Sequence, residues 1–236
     1  MTLISTKVPQ GFASVRKAVF AAVSFAALGL GLFNAGGAQA ADTFEVLRKG
    51  GYTLFFRHTQ SDWRTAAALP VAIAVNSDAK PELCAGERQL SDEGRADARA
   101  LGLAVKSLNL TISEIASANL CRMQETAKIA FGAPKTVPDL APRPGVALSL
   151  SAQAAAVERL TRTPLADHAI RIIVGDYEVA QALYGVTLAE GDAVVLKSGV
   201  DGKPEPVARI RLADWRALAP VAASAALAAQ GASRKF

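Results

Sequence analysis

Two short apolar segments constrain the fold of this chain more than any other feature. Residues 52–56 are a continuous run of strand-forming residues after a pair of glycines, and residues 169–174 are the strongest strand pattern in the chain. Runs of this kind are typical of strands that lie buried on both faces in a parallel sheet. The two segments therefore predict central strands of an α/β protein.

Helical patterns alternate with these strands. The clearest helix follows Ser91, a predicted N-cap with two acids after it, and its apolar residues recur every three or four positions. The other predicted helices cover residues 42–49, 121–131 and 151–162, and a further short helix follows residue 176 and ends at residue 183. The other predicted strands cover residues 112–118, 193–197 and 206–212. The alternation predicts a single three-layer α/β domain, with a mostly parallel central sheet flanked by helices and an antiparallel hairpin near the C-terminus.

Residues 1–40 have the organisation of a secretory signal peptide. A basic start without acids precedes an apolar run over residues 18–33, and small residues at 38–40 supply a cleavage site after Ala40. This segment holds three of the 26 Lys and Arg residues and none of the 21 acids, so its removal lowers the net charge from +5 to +2. We therefore expect a periplasmic or secreted protein.

The charge and hydropathy of the remaining chain exclude several classes of partner. A nearly neutral mature chain gives no electrostatic reason to bind nucleic acid. No other apolar run approaches the roughly 20 residues that cross a bilayer, so stable membrane insertion is not expected once the leader is cleaved. We expect one domain over residues 41–220, followed by an Ala-rich tail over residues 221–236.

The two cysteines, Cys84 and Cys121, both lie in the predicted exported part. In an oxidising compartment an even pair more often forms a disulfide than remains reduced, and two buried thiols are the alternative. Two cysteines and two histidines spread along the chain show no metal-ligand spacing. The sequence thus favours a disulfide, and it suggests neither a metal nor a cofactor.

Charged residues follow the predicted strands at the edge where an α/β sheet binds ligands. Arg57 and His58 follow the first strand, Asp176 follows the later one, and Arg122 begins the helix after the second. Arginine matches phosphate oxygens bidentately, and an imidazole can attack phosphorus. The arrangement indicates anion chemistry, although an Arg-His pair standing alone is more often an ordinary surface pair.

Three ordered motifs strengthen that interpretation. Residues 57–63 read Arg-His-Thr-Gln-Ser-Asp-Trp, residues 88–95 read Arg-Gln-Leu-Ser-Asp-Glu-Gly-Arg, and residues 117–127 read Ser-Ala-Asn-Leu-Cys-Arg-Met-Gln-Glu-Thr-Ala. They resemble the Arg-His-Gly-Glu-Thr-x-Trp, Arg-x-Leu-Ser-x-x-Gly-Arg and Ser-x-x-x-x-Arg-x-x-Glu-Thr-Ala motifs of the histidine phosphatase superfamily, which includes phosphoglycerate mutases and acid phosphatases. The resemblance extends over residues 43–216.

The resemblance implies a phosphate pocket at the carboxyl edge of the sheet and a small phosphorylated molecule as the ligand. His58 matches the histidine that is transiently phosphorylated, and Arg57 and Arg122 match the arginines that hold the phosphoryl group. Two positions depart from the pattern. Thr59 replaces a glycine, which narrows the approach to His58, and Asp176 replaces the second histidine of the pocket.

Asp176 is the more serious departure. A carboxylate about 4 Å from a phosphoryl oxygen is repelled by about 4 kcal/mol at an effective dielectric constant near 20. That repulsion corresponds to a loss of about a thousandfold in rate. The penalty is smaller if Asp176 is protonated, bridges the two arginines or turns away. The only other histidine, His168, lies eight positions earlier, at the opposite end of the same predicted strand, and cannot replace the missing one.

The motifs leave the proton donor open. Asp139 is the only acid between residues 125 and 158 and is our candidate for the general acid, with Asp62 and Glu178 as rivals. Arg143, in the same proline-rich segment, is a candidate contact for the substrate.

Two functions remain compatible with these residues. The first is an exported phosphatase that hydrolyses a phosphomonoester through a phosphohistidine on His58. The alternative is a catalytically inactive anion-binding protein that keeps Arg57 and Arg122 as a clamp. The absence of a Gly-x-Ser-x-Gly motif sets a serine hydrolase aside.

Overall fold

The structure is a computed structural model, and it describes residues 37–65, 84, 87–141, 148–198 and 203–219. The elements in chain order are α1 (Gly37–Leu47), β1 (Tyr52–Arg57), β2 (Ser61–Asp62), β3 (Gln89–Leu90), α2 (Asp92–Ser107), β4 (Thr111–Ser117), α3 (Cys121–Ala130), β5 (Lys135–Thr136), α4 (Leu150–Thr161), β6 (Ala169–Gly175), α5 (Tyr177–Tyr184), β7 (Ala193–Ser198) and β8 (Pro204–Ile210). Short 3-10 turns cover Trp63–Thr65 and Pro138–Leu140, and residues 212–219 are helical.

Six strands form the main sheet in the order β5-β4-β6-β1-β7-β8. The first four are parallel to one another, whereas β7 and β8 run antiparallel at one edge. This is the predicted α/β architecture with its terminal hairpin. Strands β2 and β3 pair separately and join the segment after β1 to the start of α2.

The core lies on both faces of the sheet. All seven residues of β6 are buried, as expected for a central strand, including Arg171, which is paired with Glu114 at 2.9 Å. Helix α2 packs against α3, and α4 packs against α5. Near the hairpin, the buried ring of Trp215 lies 5.0 Å from Phe44 and 5.5 Å from Phe56, measured between ring centroids. The helices therefore hold the strand ends in fixed positions.

Two segments expected to be irregular contain short strands. The proline-rich segment contributes β5, whose Lys135 and Thr136 pair with the end of β4. The long segment after His58 contributes β2, which pairs with β3. Strands of two residues are too short for an alternating pattern to reveal, which is why the sequence does not predict them.

The predicted leader lies mostly outside the described residues. Helix α1 begins at Gly37, so the predicted cleavage site after Ala40 falls within it, and Ala40 is buried. The signal peptide and the boundary at residue 41 stay predictions, and the Ala-rich tail lies outside the described residues. Within the described ranges, none of the helices has the length and apolar character needed to span a bilayer.

The strand register places the site. Strands β1 and β6 are parallel, with Arg57 opposite Gly175. His58 and Asp176 therefore leave neighbouring strands at the same level, and the His58 amide donates to the Gly175 carbonyl at 3.2 Å. Strand β4 ends beside them, with Ser117 opposite Val174. Three carboxyl ends thus meet at one edge of the sheet.

Candidate active site

His58 follows β1 directly, and its side chain is fully buried. Its Nδ1 lies 2.7 Å from the Thr59 carbonyl oxygen, which can only accept a hydrogen bond. Nδ1 therefore carries the proton in the neutral ring, and Nε2 is an acceptor whose lone pair faces Arg88 Nη2 at 3.3 Å. Burial is the largest influence and lowers the pKa of His58 to about 4, against the opposing charge of Asp176. The imidazole is neutral at pH 7 and is suited to act as a nucleophile.

Three arginines lie around this nitrogen. Arg88 Nη2 is 3.3 Å from His58 Nε2. Arg57 and Arg122 each form an ion pair with the carboxylate of Asp176, which itself lies 3.8 Å from His58 Nε2. The Nε atoms of all three arginines are buried and have no hydrogen-bond partner among the described residues. Buried donors in native proteins normally have hydrogen-bond partners, so three arginines with unsatisfied Nε donors beside one imidazole indicate a site for an anion.

Arg57 is held by its surroundings. Its Nη1 donates to the Leu188 carbonyl at 2.9 Å, and its guanidinium lies 4.9 Å from the centre of the Tyr177 ring. The Arg57 amide also donates to the Asp192 carbonyl at 3.0 Å. The turn before β7 therefore fixes the orientation of this arginine.

Asp176 places a carboxylate among these cations. Its Oδ2 accepts a 2.7 Å hydrogen bond from Arg122, while Oδ1 lies 3.6 Å from Arg57 Nε and 3.8 Å from His58 Nε2. Oδ1 also accepts from the Tyr177 amide at 2.9 Å and caps α5. Burial alone would raise the pKa of Asp176, but His58 and the hydrogen-bonded Arg122 hold it below its ordinary value. The carboxylate is therefore ionised at pH 7.

Glu190 lies on the other side of the imidazole. Its Oε1 is 3.8 Å from His58 Nδ1 and accepts from the Ser61 hydroxyl at 2.9 Å and from the Ser61 amide at 3.3 Å. The Gly191 amide donates to the His58 carbonyl at 3.0 Å. These contacts tie the segment after His58 to the turn before β7.

Thr59 is fully buried and lies against α3. Its amide donates to the Thr126 hydroxyl at 3.1 Å, and the two hydroxyl oxygens are 3.2 Å apart. The Thr126 hydroxyl in turn donates to the Arg122 carbonyl at 2.8 Å. The residue expected to narrow the approach to His58 thus connects the end of β1 to the first turns of α3.

The predicted disulfide is present. Cys84 and Cys121 are bonded, with their Cα atoms 5.8 Å apart. Cys121 is the first residue of α3 and directly precedes Arg122. The bond therefore ties the segment after His58 to the wall of the site.

The proton-donor candidates lie in different surroundings. Asp139 lies in a 3-10 turn, where its carboxylate accepts from Arg159 at 3.0 Å. Asp62 binds Arg64 at 3.0 Å, and Glu178 is exposed in the first turn of α5. None of these contacts assigns the role, so the choice of Asp139 stays a prediction. Arg143 lies outside the described residues.

Sequence reasoning missed two residues of the site, Arg88 and Glu190. Arg88 begins the second motif, whose serine and glycine indicate the start of a helix rather than a contact with the site. The strand pairing of Leu90 with Ser61, a residue of the first motif, brings Arg88 to the site, and no local sequence pattern predicts that pairing. Glu190 follows His58 by more than a hundred residues in a turn, and no local pattern identifies it.

The chain is similar in fold to solved structures. The protein histidine phosphatase SixA complexed with tungstate matches with a TM-score of 0.50 and 13% identity, over 69% of this chain and 98% of that chain. The chain has the fold of a histidine phosphatase. A phosphoglycerate mutase from Thermus thermophilus is also similar, with a TM-score of 0.43 and 21% identity over 67% of this chain and 98% of that chain. No protein-family model matches the sequence, and no curated protein matches it significantly.

Within this histidine phosphatase fold, the site combines a neutral imidazole with hydrogen-bond donors. The described residues contain no group of three His, Cys, Asp or Glu side chains placed to hold a metal ion. His58 presents an acceptor nitrogen, and the arginines supply positive charge and N–H groups of the kind that match an oxyanion. Phosphoryl transfer depends mainly on such positioning and charge stabilisation.

Proposed function

We propose that this chain is an exported phosphatase that hydrolyses a phosphomonoester through a phosphohistidine on His58. One observation carries the proposal: His58 donates through Nδ1 to the Thr59 carbonyl, which leaves the Nε2 lone pair among Arg57, Arg88 and Arg122. A protein that only binds anions has no need of a neutral, oriented imidazole at that place.

The reaction has two steps. In the first, His58 Nε2 attacks phosphorus, the bond from phosphorus to the ester oxygen breaks, and the leaving oxygen takes the electron pair and then a proton from the general acid, for which Asp139 is our candidate. The phosphorylated ring keeps its Nδ1 proton, and the Thr59 carbonyl stabilises the resulting positive charge. In the second step, water attacks phosphorus, the P–N bond returns its electron pair to Nε2, and inorganic phosphate leaves. His58 is then neutral again.

The arginines stabilise the charge that spreads over the phosphoryl oxygens in both steps. Their Nε donors lack partners among the described residues, so a phosphoryl group would gain these hydrogen bonds without breaking others. Asp176 weakens this stabilisation of the phosphoryl oxygens, because its ionised carboxylate repels them and already binds Arg122. We therefore expect hydrolysis that is real but slow.

Further findings support parts of the proposal. SixA in the similar structure is complexed with tungstate, an oxyanion, which supports a small phosphorylated molecule or another anion as the ligand. The disulfide between Cys84 and Cys121 supports export, because disulfides persist in oxidising compartments. The substrate itself is an open question, which a screen of phosphorylated metabolites with the wild type and Asp176→His side by side addresses.

A second function is favoured by the hydrogen bond between Asp176 and Arg122. Asp176 forms a hydrogen bond with one arginine of the site, which slows turnover. A protein that only binds anions would tolerate this loss. In that case Arg57 and Arg122 form the clamp, with Arg88 beside His58, and the chain binds phosphate or a phosphorylated molecule and releases it unchanged.

Hydrolysis of p-nitrophenyl phosphate by the purified protein tests the first function. We expect slow release of p-nitrophenol, which His58→Ala abolishes and His168→Ala leaves unchanged, because His168 is exposed at the far end of β6. Activity that survives His58→Ala contradicts the mechanism. Calorimetric titration with phosphate that shows binding, together with no turnover of any ester, supports the second function instead. A titration without heat, together with no turnover of any ester, refutes both functions.

A further inference from the structure

The disulfide joins two segments that each carry an arginine of the site. Cys121 directly precedes Arg122 in α3, and Cys84 lies four residues before Arg88. Arg88 Nη2 in turn lies 3.3 Å from His58 Nε2. We call Cys84 together with residues 87–90 the strap, because this segment lies across the start of α3 and ends in β3.

A second contact joins the strap to α3 at the same point. The carboxylate of Glu87 accepts a 2.7 Å hydrogen bond from the Cys121 amide. The helix needs this contact, because its own N-cap residue, Leu120, provides no side-chain hydrogen bond. Glu87 thus serves as the missing cap, and its negative charge lies at the positive end of the helix.

The strap also has internal contacts that fix Arg88 between its neighbours. The Cys84 carbonyl accepts from the Glu87 amide at 3.1 Å and from the Gln89 side chain at 3.2 Å. Gln89 pairs with Asp62 in the short β2–β3 ladder. Arg88 therefore lies between the attachment to α3 and the attachment to β2. Burial and the nearby charge of Arg122 lower the pKa of Arg88, as expected for a guanidinium held among other cations.

Holding Arg88 in this position is unfavourable without an attachment. Its Nε has no hydrogen-bond partner among the described residues, and burial together with the like charges of Arg57 and Arg122 outweighs the attraction of Asp176 and Glu190. A long, charged side chain in that situation gains hydration and rotamer freedom by moving outward. We propose that the Cys84–Cys121 disulfide, together with Glu87, is a positioning element that holds Arg88 against His58, so that reduction of the disulfide withdraws Arg88 from the site.

The disulfide borders a surface cavity that a small reductant can enter, although Cys121 itself is mostly buried. Both cysteines line a cavity of about 640 Å³ on the protein surface, together with Gln89, Arg95 and Glu125. A thiolate of dithiothreitol attacks one sulfur, the S–S bond breaks, and a mixed disulfide forms. The second thiol of the reagent then closes its own disulfide ring. Two electrons and two protons pass to the protein, which leaves Cys84 and Cys121 as thiols.

Histidine NMR tests the inference without requiring catalysis. The chain has two histidines, so ¹⁵N-labelled histidine gives one set of signals from His58 and one from the exposed His168, which is an internal control. We expect reduction to move the His58 signals to the positions seen in oxidised Arg88→Ala, while the His168 signals stay in place. Fully reduced protein that keeps the oxidised His58 signals overturns the inference.

A variant that keeps the disulfide distinguishes movement of the strap from a general loss of structure on reduction. Glu87→Ala removes only the second attachment, and it should move the His58 signals in the same direction by a smaller amount. Glu45→Ala, which removes an exposed ion pair with Arg48, is the matched control and should change neither histidine. Unchanged His58 signals in Glu87→Ala contradict the role of the strap.

Phosphate binding provides the second test, which rests on the proposed anion site. Loss of one charged hydrogen-bond donor weakens binding by about tenfold or more. Reduction should therefore weaken phosphate binding to the wild type by about that factor and have no further effect on Arg88→Ala. If reduction weakens phosphate binding equally in the wild type and in Arg88→Ala, the disulfide acts on the fold in general. That result overturns the inference. Absence of phosphate binding in the oxidised wild type counts against the proposed function, and the NMR result still decides the inference.

Discussion

The Asp176 carboxylate accepts a 2.7 Å hydrogen bond from Arg122, in the place where the proposed function requires an anion to bind. Its other oxygen lies 3.6 Å from Arg57 Nε and 3.8 Å from His58 Nε2. An internal carboxylate thus offsets part of the positive charge that a phosphoryl group would meet. The same contacts hold the two arginines together before a substrate binds, so Asp176 stabilises the fold and opposes the reaction.

Asp176→Asn should separate these two effects. Asparagine keeps the shape and the cap of α5 but removes the negative charge, so kcat/KM for p-nitrophenyl phosphate should rise between about tenfold and about a thousandfold. Loss of the charged hydrogen bond to Arg122 should lower the free energy of unfolding by about 2 kcal/mol. Steady-state kinetics and urea unfolding measure both changes. Asp176→His should also raise turnover, and lower activity in both variants would mean that Asp176 supplies a proton.

The buried imidazole makes stability depend on pH. The pKa of His58 is lowered from 6.5 to about 4, so between these values the unfolded chain binds a proton that the folded protein excludes. Stability is therefore complete above pH 6.5 and is lost by about 3 kcal/mol as the pH falls to about 4. Urea unfolding from pH 7 to pH 4 measures the loss. His58→Gln should flatten this part of the profile and His168→Gln should not; identical profiles for all three proteins contradict the assignment.

Thr126→Val should destabilise the connection between β1 and α3. Valine has nearly the same shape, but it leaves the buried Thr59 amide and the Thr59 hydroxyl without the Thr126 oxygen. An unsatisfied buried donor costs about 1–3 kcal/mol, and the loss should appear in chemical denaturation. Thr126→Ser keeps the hydroxyl and is the control, which should stay closer to the wild type. Equal stability of the valine and serine variants would show that these hydrogen bonds contribute little.

Gly94→Ala should be strongly destabilising. A Cβ at this position would lie 1.9 Å from the Gln60 carbonyl oxygen, so either α2 or the segment after His58 must move. We expect a loss of about 3 kcal/mol or more, together with reduced activity. Arg99→Ala, at an exposed position of the same helix, should change stability by less than about 0.5 kcal/mol. Thermal unfolding compares the two, and a Gly94→Ala protein as stable as the control would contradict the close approach.

Much of the fold follows from local patterns in the sequence. The apolar run over residues 52–56 becomes β1, the Ser91 cap begins α2, and the alternation of strand and helix predicts the parallel sheet. Because parallel strands end at the same edge, the sequence also places His58 beside Asp176, and the register of β1 and β6 shows why.

The rest of the site depends on contacts that no local pattern contains. Arg88 reaches His58 because β3 pairs with β2 and because the disulfide fixes the segment before it. Glu190 approaches from a turn far along the chain and is held there by Ser61. The sequence leaves open whether Asp176 is protonated, bridges the two arginines or turns away. The fold selects the contact with the arginines, because that contact depends on where the Arg122 side chain ends.

The most direct test of the central claim is a search for phosphate bonded to His58. After the protein is mixed with p-nitrophenyl phosphate at neutral pH and rapidly quenched in base, mass spectrometry should find one added phosphoryl group on the peptide that contains His58. The group should be lost on brief acid treatment, as expected for a P–N bond, and should be absent from His58→Ala. Turnover in the same sample without any phosphorylated His58, or a phosphoryl group on another residue, would contradict the account.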